Sequence, residues 1–206
     1  MTGELPPGWV QISLGECVRT RSGNSKLIKG RLAAAPESGL VPAYSASGQD
    51  VWCEEAEYRE SGVVLSAVGA RCGKTFLALG SWTAIANTHV LIPHDGIDSK
   101  WLWYLTNDED FWLKGGSAQP FVKVKASKEI PVLLPPINEQ LRVVAAIEEH
   151  FSRLDAVEGV LAAGWEKLEA LRRSILREAF SGRLVPQDPN DEPASALLKR
   201  IADSQR

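Results

Sequence analysis

Three stretches of this 206-residue chain carry residue types whose spacing could do chemistry, and each departs from the pattern that chemistry needs. Gly69-Ala70-Arg71-Cys72-Gly73-Lys74-Thr75 has the outline of a phosphate-cradling loop. Such a loop requires a glycine where Val68 stands and a helix after it, whereas residues 76–79 read as a strand. Leu134-Pro135-Pro136-Ile137 has the outline of the polar-Pro-Pro-aromatic element that holds a flipped base in amino-methyltransferases. Leu134 accepts no hydrogen bond and Ile137 offers no ring to stack. His89 and His94 lie five apart with no third ligand near them, and His150 stands alone, so no metal spacing is present. Cys17, Cys53 and Cys72 are odd in number and form no Cys-x-x-Cys pair, which fits core positions in a reducing, cytoplasmic setting. The chain is therefore expected to have no catalytic centre, cofactor or metal.

Charge distribution points to binding instead. The formal net charge is −3, yet the signs are segregated. Arg19, Arg21, Lys26, Lys29 and Arg31 fall between Cys17 and Pro36 without one acid, and Lys114, Lys123, Lys125 and Lys128 form a second acid-free stretch. Glu54, Glu55, Glu57 and Glu60 lie between the two. Segregation of this kind can give an acidic protein a local positive face. Any single lysine in it is more often a solvated surface charge, so the basic stretches count as groups.

The elements that must position these residues divide the chain into three parts. Residues 1–137 are rich in β-branched and aromatic residues and hold six of the seven tryptophans. Strands are expected at 63–68, 74–79 and 88–92, with shorter ones at 121–124 and 132–134. One helix, capped by Asp98-Ser99, interrupts them, which makes the class strand-rich α+β. Residues 138–181 read as one long helix, with Asn138 as its N-cap and Gly182 as its stop. Ile147, Leu154, Leu161, Leu168 and Ile175 recur every seven residues, and Phe151 and Trp165 extend the seam. A heptad stripe this long is the signature of a coiled coil, so the helix is expected to pair with a partner helix. Residues 182–206 form a proline-rich turn and a short helix with Leu197, Leu198 and Ile201 on one face. No apolar run is long enough to span a bilayer, and the N-terminus lacks the profile of a signal peptide.

A series of short landmarks in fixed order carries a family resemblance. Leu5-Pro6-Pro7-Gly8-Trp9 and Leu14-Gly15-Glu16 come first, then Pro42-Ala43-Tyr44 with Gly48, and Val63-Val64-Leu65-Ser66 leading to Gly69. Gly116-Ser117-Ala118-Gln119 precedes Ile130-Pro131-Val132-Leu133-Leu134-Pro135-Pro136, and Glu139-Gln140 follows. Leu171-Arg172-Arg173-Ser174-Ile175-Leu176 then leads to Ala179-Phe180-Ser181-Gly182-Arg183-Leu184. The series resembles the specificity subunits of Type I restriction-modification systems over essentially the whole chain. The resemblance implies a target-recognition domain over 1–137 and a spacer helix over 138–181. Family members usually carry two of each, reading the two halves of a bipartite site, so this chain has the look of a half-length form.

On that resemblance the expected partners are double-stranded DNA, methyltransferase subunits, and a restriction subunit reached through the complex. A second copy, or a different half-subunit, would meet the long helix; no membrane is involved. Arg19, Arg21, Lys26, Lys29, Lys74, Lys123 and Lys125 are the expected phosphate contacts. Asn24, Gln49, Arg71 and Gln119, in expected loops, have the donor and acceptor patterns that discriminate base edges. The competing expectation is an interaction or decoy protein that occupies methyltransferase subunits without reading DNA.

Overall fold

The structure is a computed structural model that describes residues 5–204. Two compact units emerge from its contacts, Met1–Glu149 and His150–Arg206. In the first, β1 (Val10–Ser13), the one-turn helix α1 (Leu14–Cys17) and β2 (Val18–Ser22) are followed by the hairpin of β3 (Val41–Ser45) and β4 (Gly48–Cys53). Then come β5 (Gly62–Ser66), β6 (Thr75–Ala78), β7 (Thr83–Ala84), β8 (Thr88–Pro93) and helix α2 (Ser99–Thr106). β9 (Lys114–Gly115), β10 (Phe121–Val122), the single turn α3 (Val124–Ser127) and β11 (Pro131–Leu134) precede the helix α4 (Ile137–Phe180). The last element is α5 (Ala194–Ser204). The expected class, a strand-rich α+β domain with one long helix and a short C-terminal one, is the class observed.

A four-stranded sheet in the order β2-β8-β5-β6 is the frame, and a smaller sheet β4-β3-β7 lies beside it. The run Val63-Val64-Leu65 is apolar without alternation because both of its faces are covered. Val63, Leu65 and Leu91 pack with Trp101, Leu102, Trp112, Val132 and Val144. Val64, Val90 and Ile92 pack on the other face with Trp82, Tyr58 and Tyr44. Trp82 stacks on Tyr58 at 4.4 Å and meets Tyr44 edge-on at 5.7 Å, which fixes the second core.

Local chemistry sets the element ends. Asp98 caps α2, its carboxylate accepting from the Trp101 N–H at 2.8 Å. Asn138 does not cap α4: the Pro136 carbonyl already accepts from Glu139 at 2.8 Å and Gln140 at 3.0 Å, so Asn138 sits exposed inside the first turn. The strand expected to run to Val124 stops at Val122, because Val124 opens α3, and the strand expected to run to Val68 stops at Ser66. Six strands (β1, β2, β3, β4, β7 and β9) were not expected at all. Gly182, at φ +72°, ends α4: Arg183 N donates to Glu178 O at 2.9 Å and Gly182 N to Ala179 O at 3.2 Å. That pair of bonds is the Schellman closure, which satisfies carbonyls the helix would otherwise leave open.

The second unit is the remainder of α4 together with α5. Along α4, Phe151, Leu154, Leu161, Trp165, Leu168 and Ile175 are between 46% and 68% exposed, whereas Ile147, in the first unit, is half-buried. Leu197, Leu198 and Ile201 of α5 are exposed as well.

Candidate nucleic-acid interface

Strand register gathers several of the expected residues at one end of the four-stranded sheet. Ser22 pairs with His89, Ser66 with Thr88, and Leu65 with Thr75. The segments after β2, between β5 and β6, and before β8 therefore all leave from the same end. The loop of Gly116 to Gln119 joins them, since Gly69 N donates to Pro120 O and Val122 N to Ala67 O, both at 2.9 Å. Its tight turn depends on Gly116 (φ +81°), where a Cβ would sit 2.3 Å from the Gln119 carbonyl oxygen. The β3–β4 turn is tied in by Arg71, whose Nη1 donates to Ser47 O at 3.1 Å. Arg71 and Gln119 thus stand exposed on neighbouring loops, and Gln49 follows the turn that Arg71 holds. Gln49 is not in a loop as expected: it is an exposed position of β4.

Other expected residues are engaged by carboxylates. Arg19, nearer the opposite end of β2, pairs with Glu60 at 3.1 Å, and Lys74 pairs with Glu109 at 3.5 Å. Lys29 is bound to Asp50, and the Asn24 amide donates to Glu57. The acidic cluster that separates the two basic stretches in sequence folds back on the first of them, because Trp82 Nε1 holds the Glu60 carbonyl at 2.9 Å beside β2. A cavity of about 490 Å³ bordered by Asn24, Arg31, Trp52, Glu54, Glu55 and Glu57 has the wrong sign for a phosphate. Lys26 is exposed beyond β2, its N–H bonded to the Asn24 side chain at 2.9 Å.

The uncompensated positive charge lies elsewhere. Among the described residues, Lys123, Lys125 and Lys128 make no ion pair, whereas Arg21, also without one, borders Glu57 and Glu60. Arg21, Lys125 and Lys128 border one groove of about 300 Å³ together with His89. Burial pushes the His89 imidazole below its usual range, while its hydrogen bond to the Arg21 backbone pulls the other way. Neither His89 nor Lys128 was expected here. Lys128 belonged to the acid-free stretch, but only the pairing of β2 with β8 and the turn of α3 bring them together. The cysteines are buried, and burial, aided by the Glu16 charge, raises the Cys17 thiol to about 11. No group of three His, Cys, Asp or Glu side chains among the described residues is placed to hold a metal. No helix among them is long and apolar enough to cross a membrane.

Residues 8–162 match the model of the Type I restriction modification DNA specificity domain, which is more than half of the chain. The chain belongs to that family. The chain is 32% identical over 118 residues to the EcoDI specificity subunit of Escherichia coli, an alignment covering 51% of this chain and 27% of that one. It is 53% identical over 58 residues to the EcoAI specificity subunit of the same species, covering 28% and 9%. A structure described as that of the HsdS subunit from Thermoanaerobacter tengcongensis superposes with a TM-score of 0.59 at 25% identity, over 89% of this chain and 47% of that one. A chain from a structure of type I R-M complex assembly gives 0.70 at 24% identity, over 89% and 48%, and shows the shared fold. The chain thus spans under a third of those two curated relatives and about half of the solved chains. Relatives named as specificity subunits agree with the expected role in recognition in place of catalysis.

Proposed function

We propose that the specificity domain reads one half of a bipartite site in double-stranded DNA for a Type I restriction-modification complex. The observation that carries this reading is the convergence of Arg71, Gln119 and Gln49 with the uncompensated Lys123 and Lys125 around one end of the sheet. Lysine and arginine would hold the backbone in register and lend affinity that falls steeply with salt. Arg71 keeps donors beyond the one committed to Ser47, enough to fork onto the O6 and N7 edge of a guanine. Gln119 and Gln49 carry the paired donor and acceptor that match adenine.

The exposed seam of Leu154, Leu161, Leu168 and Ile175 would pair with the same helix of a second copy or of another half-subunit. Methyltransferase subunits would dock on that assembly and perform the methyl transfer, and a restriction subunit would join through them. The test is base-resolution mapping of adenine methylation in cells carrying this chain with a cognate methyltransferase, against cells lacking it. A chain-dependent palindromic bipartite motif supports two identical copies, and an asymmetric one supports two different half-subunits. Methylation indifferent to the chain refutes DNA reading and leaves the decoy role.

A further inference from the structure

The groove that joins β2, β8 and α3 has a composition unlike its surroundings. Arg21, Lys125 and Lys128 border it with Thr20, Ser22 and His89, and no carboxylate does. On the other side of Arg21, the adjoining groove is closed by Glu57 and Glu60. Arg21 pairs with Val90, so its side chain lies on the sheet face of Val90 and Ile92, toward Glu57 and Glu60, and the free charge of the groove is that of Lys125 and Lys128. Two cations sharing one small volume without a counterion repel one another, and a bound anion would remove that cost. The frame is also firm. Lys125 and Lys128 stand three apart around α3, hence on one face of the turn. Lys128 O accepts from Gly15 N at 2.8 Å, and Gly15 leaves room for its stem, since a Cβ there would lie 3.1 Å from Lys128 Cε. Both ends of α3 are tied to Leu113: the Ser127 hydroxyl accepts from Leu113 N at 3.2 Å, and Lys123 N donates to Leu113 O at 2.7 Å.

We infer that this groove is a subsite for one phosphodiester of the DNA backbone, with Lys125 and Lys128 supplying the charge and His89 and Ser22 lining it. The inference rests on the DNA-reading proposal and adds a site to it. Lys123 and the Gly116–Gln119 loop lie immediately before α3 in the chain, so a strand lying in the groove runs on toward the residues placed to read bases. The groove anchors; it does not discriminate sequence.

The experiment uses the full chain and a short duplex of arbitrary sequence, with affinity measured across a salt series. Each phosphate contact contributes roughly 0.9 to the slope of log affinity against log salt. The double variant K125A/K128A should lower the slope by about one to two, whereas K100A, remote from the groove, should leave it unchanged. In parallel, the imidazole NMR signals of the chain, with His89 assigned through H89Q, should show His89 shifting on duplex addition in the wild type but not in K125A/K128A. A wild-type slope in K125A/K128A with an unmoved His89 signal overturns the subsite and leaves DNA reading intact. A His89 shift with inorganic phosphate but none with duplex marks a free-anion site and also overturns it. A wild-type chain that binds no duplex, where the assembled complex also selects no sequence, removes both proposals.

Discussion

Replacing Gln140 by alanine tests how the long helix is seated in the first unit. The side chain is 1% exposed. Its Oε1 accepts from Asp98 N at 2.8 Å, and its Nε2 donates to Pro135 O at 2.9 Å and Gly96 O at 3.2 Å. Q140A removes all three bonds, orphaning the Pro135 carbonyl in the interior and leaving Asp98 N and Gly96 O, nearer the surface, without this partner. An intramolecular hydrogen bond contributes about 1 kcal/mol net, and an orphaned buried partner costs about 1–3 kcal/mol. Water entering the vacated space offsets part of that, so a loss of about 3 kcal/mol is expected. For a chain of this size it corresponds to a fall in Tm of roughly 6–12 °C.

Urea unfolding followed by tryptophan fluorescence measures the loss directly, because Trp101 stands one turn beyond the Asp98 cap. Q140E adds a sign. It keeps an acceptor for Asp98 N but sets a carboxylate against two carbonyl oxygens, which raises its pKa in the folded state. The native form then takes up its proton at higher pH than the unfolded form, so the defect should be full at pH 7 and ease as pH falls. N138A, at an exposed position two residues away, should stay within about 0.5 kcal/mol. A Q140A cost under about 1 kcal/mol, or a Q140E defect that grows on acidification, would refute the seating argument.

Four further outcomes are expected. R71A should relax selection at a single base position of the methylated motif, a loss of about 1–3 kcal/mol of discrimination, and a motif unchanged at every position would remove Arg71 from base reading. Inserting one heptad into α4 lengthens it by about 10 Å, or about three base pairs of spacing, so the gap in the motif should widen while both halves persist; an unaltered gap rules out the helix as a spacer. His89 has a depressed pKa in the folded state, so the unfolded chain binds its proton first as pH drops below the usual imidazole value of about 6.5. Thermal stability should therefore decline through that window in the wild type and less so in H89Q. Cys17, with its thiol raised to about 11 and buried, should resist iodoacetamide at pH 8 and react once urea is added, as mass spectrometry of the labelled peptide would show.

Periodicity is a local property, and what it governs was legible: the apolar core of β5, the span of β8, the Asp98 cap, the length of α4 and its stop at Gly182. The edge strand β2, Val-Arg-Thr-Arg-Ser, escaped because basic and hydroxyl side chains on an edge serve to deter pairing with other chains and give no apolar alternation. The β3–β4 hairpin escaped too, since its register shifts between Ala43 and Tyr44 and its turn carries no Asn-Gly signal.

Charge runs proved the harder signal. A stretch free of acids in sequence was read as free of acids in space, yet Glu60 reaches Arg19 across 41 positions and Asp50 reaches Lys29 across 21. Those contacts depend on which strands lie side by side, and the order β2-β8-β5-β6 is set by the packing of both faces of β5. The same order places His89 beside Ser22, in a groove that Lys125 and Lys128 border and no carboxylate does, and turns Arg21 toward Glu57 and Glu60 on the other face. Charge composition names residues of the kinds that a DNA-binding surface would need; sheet order decides which of them stand clear of a carboxylate.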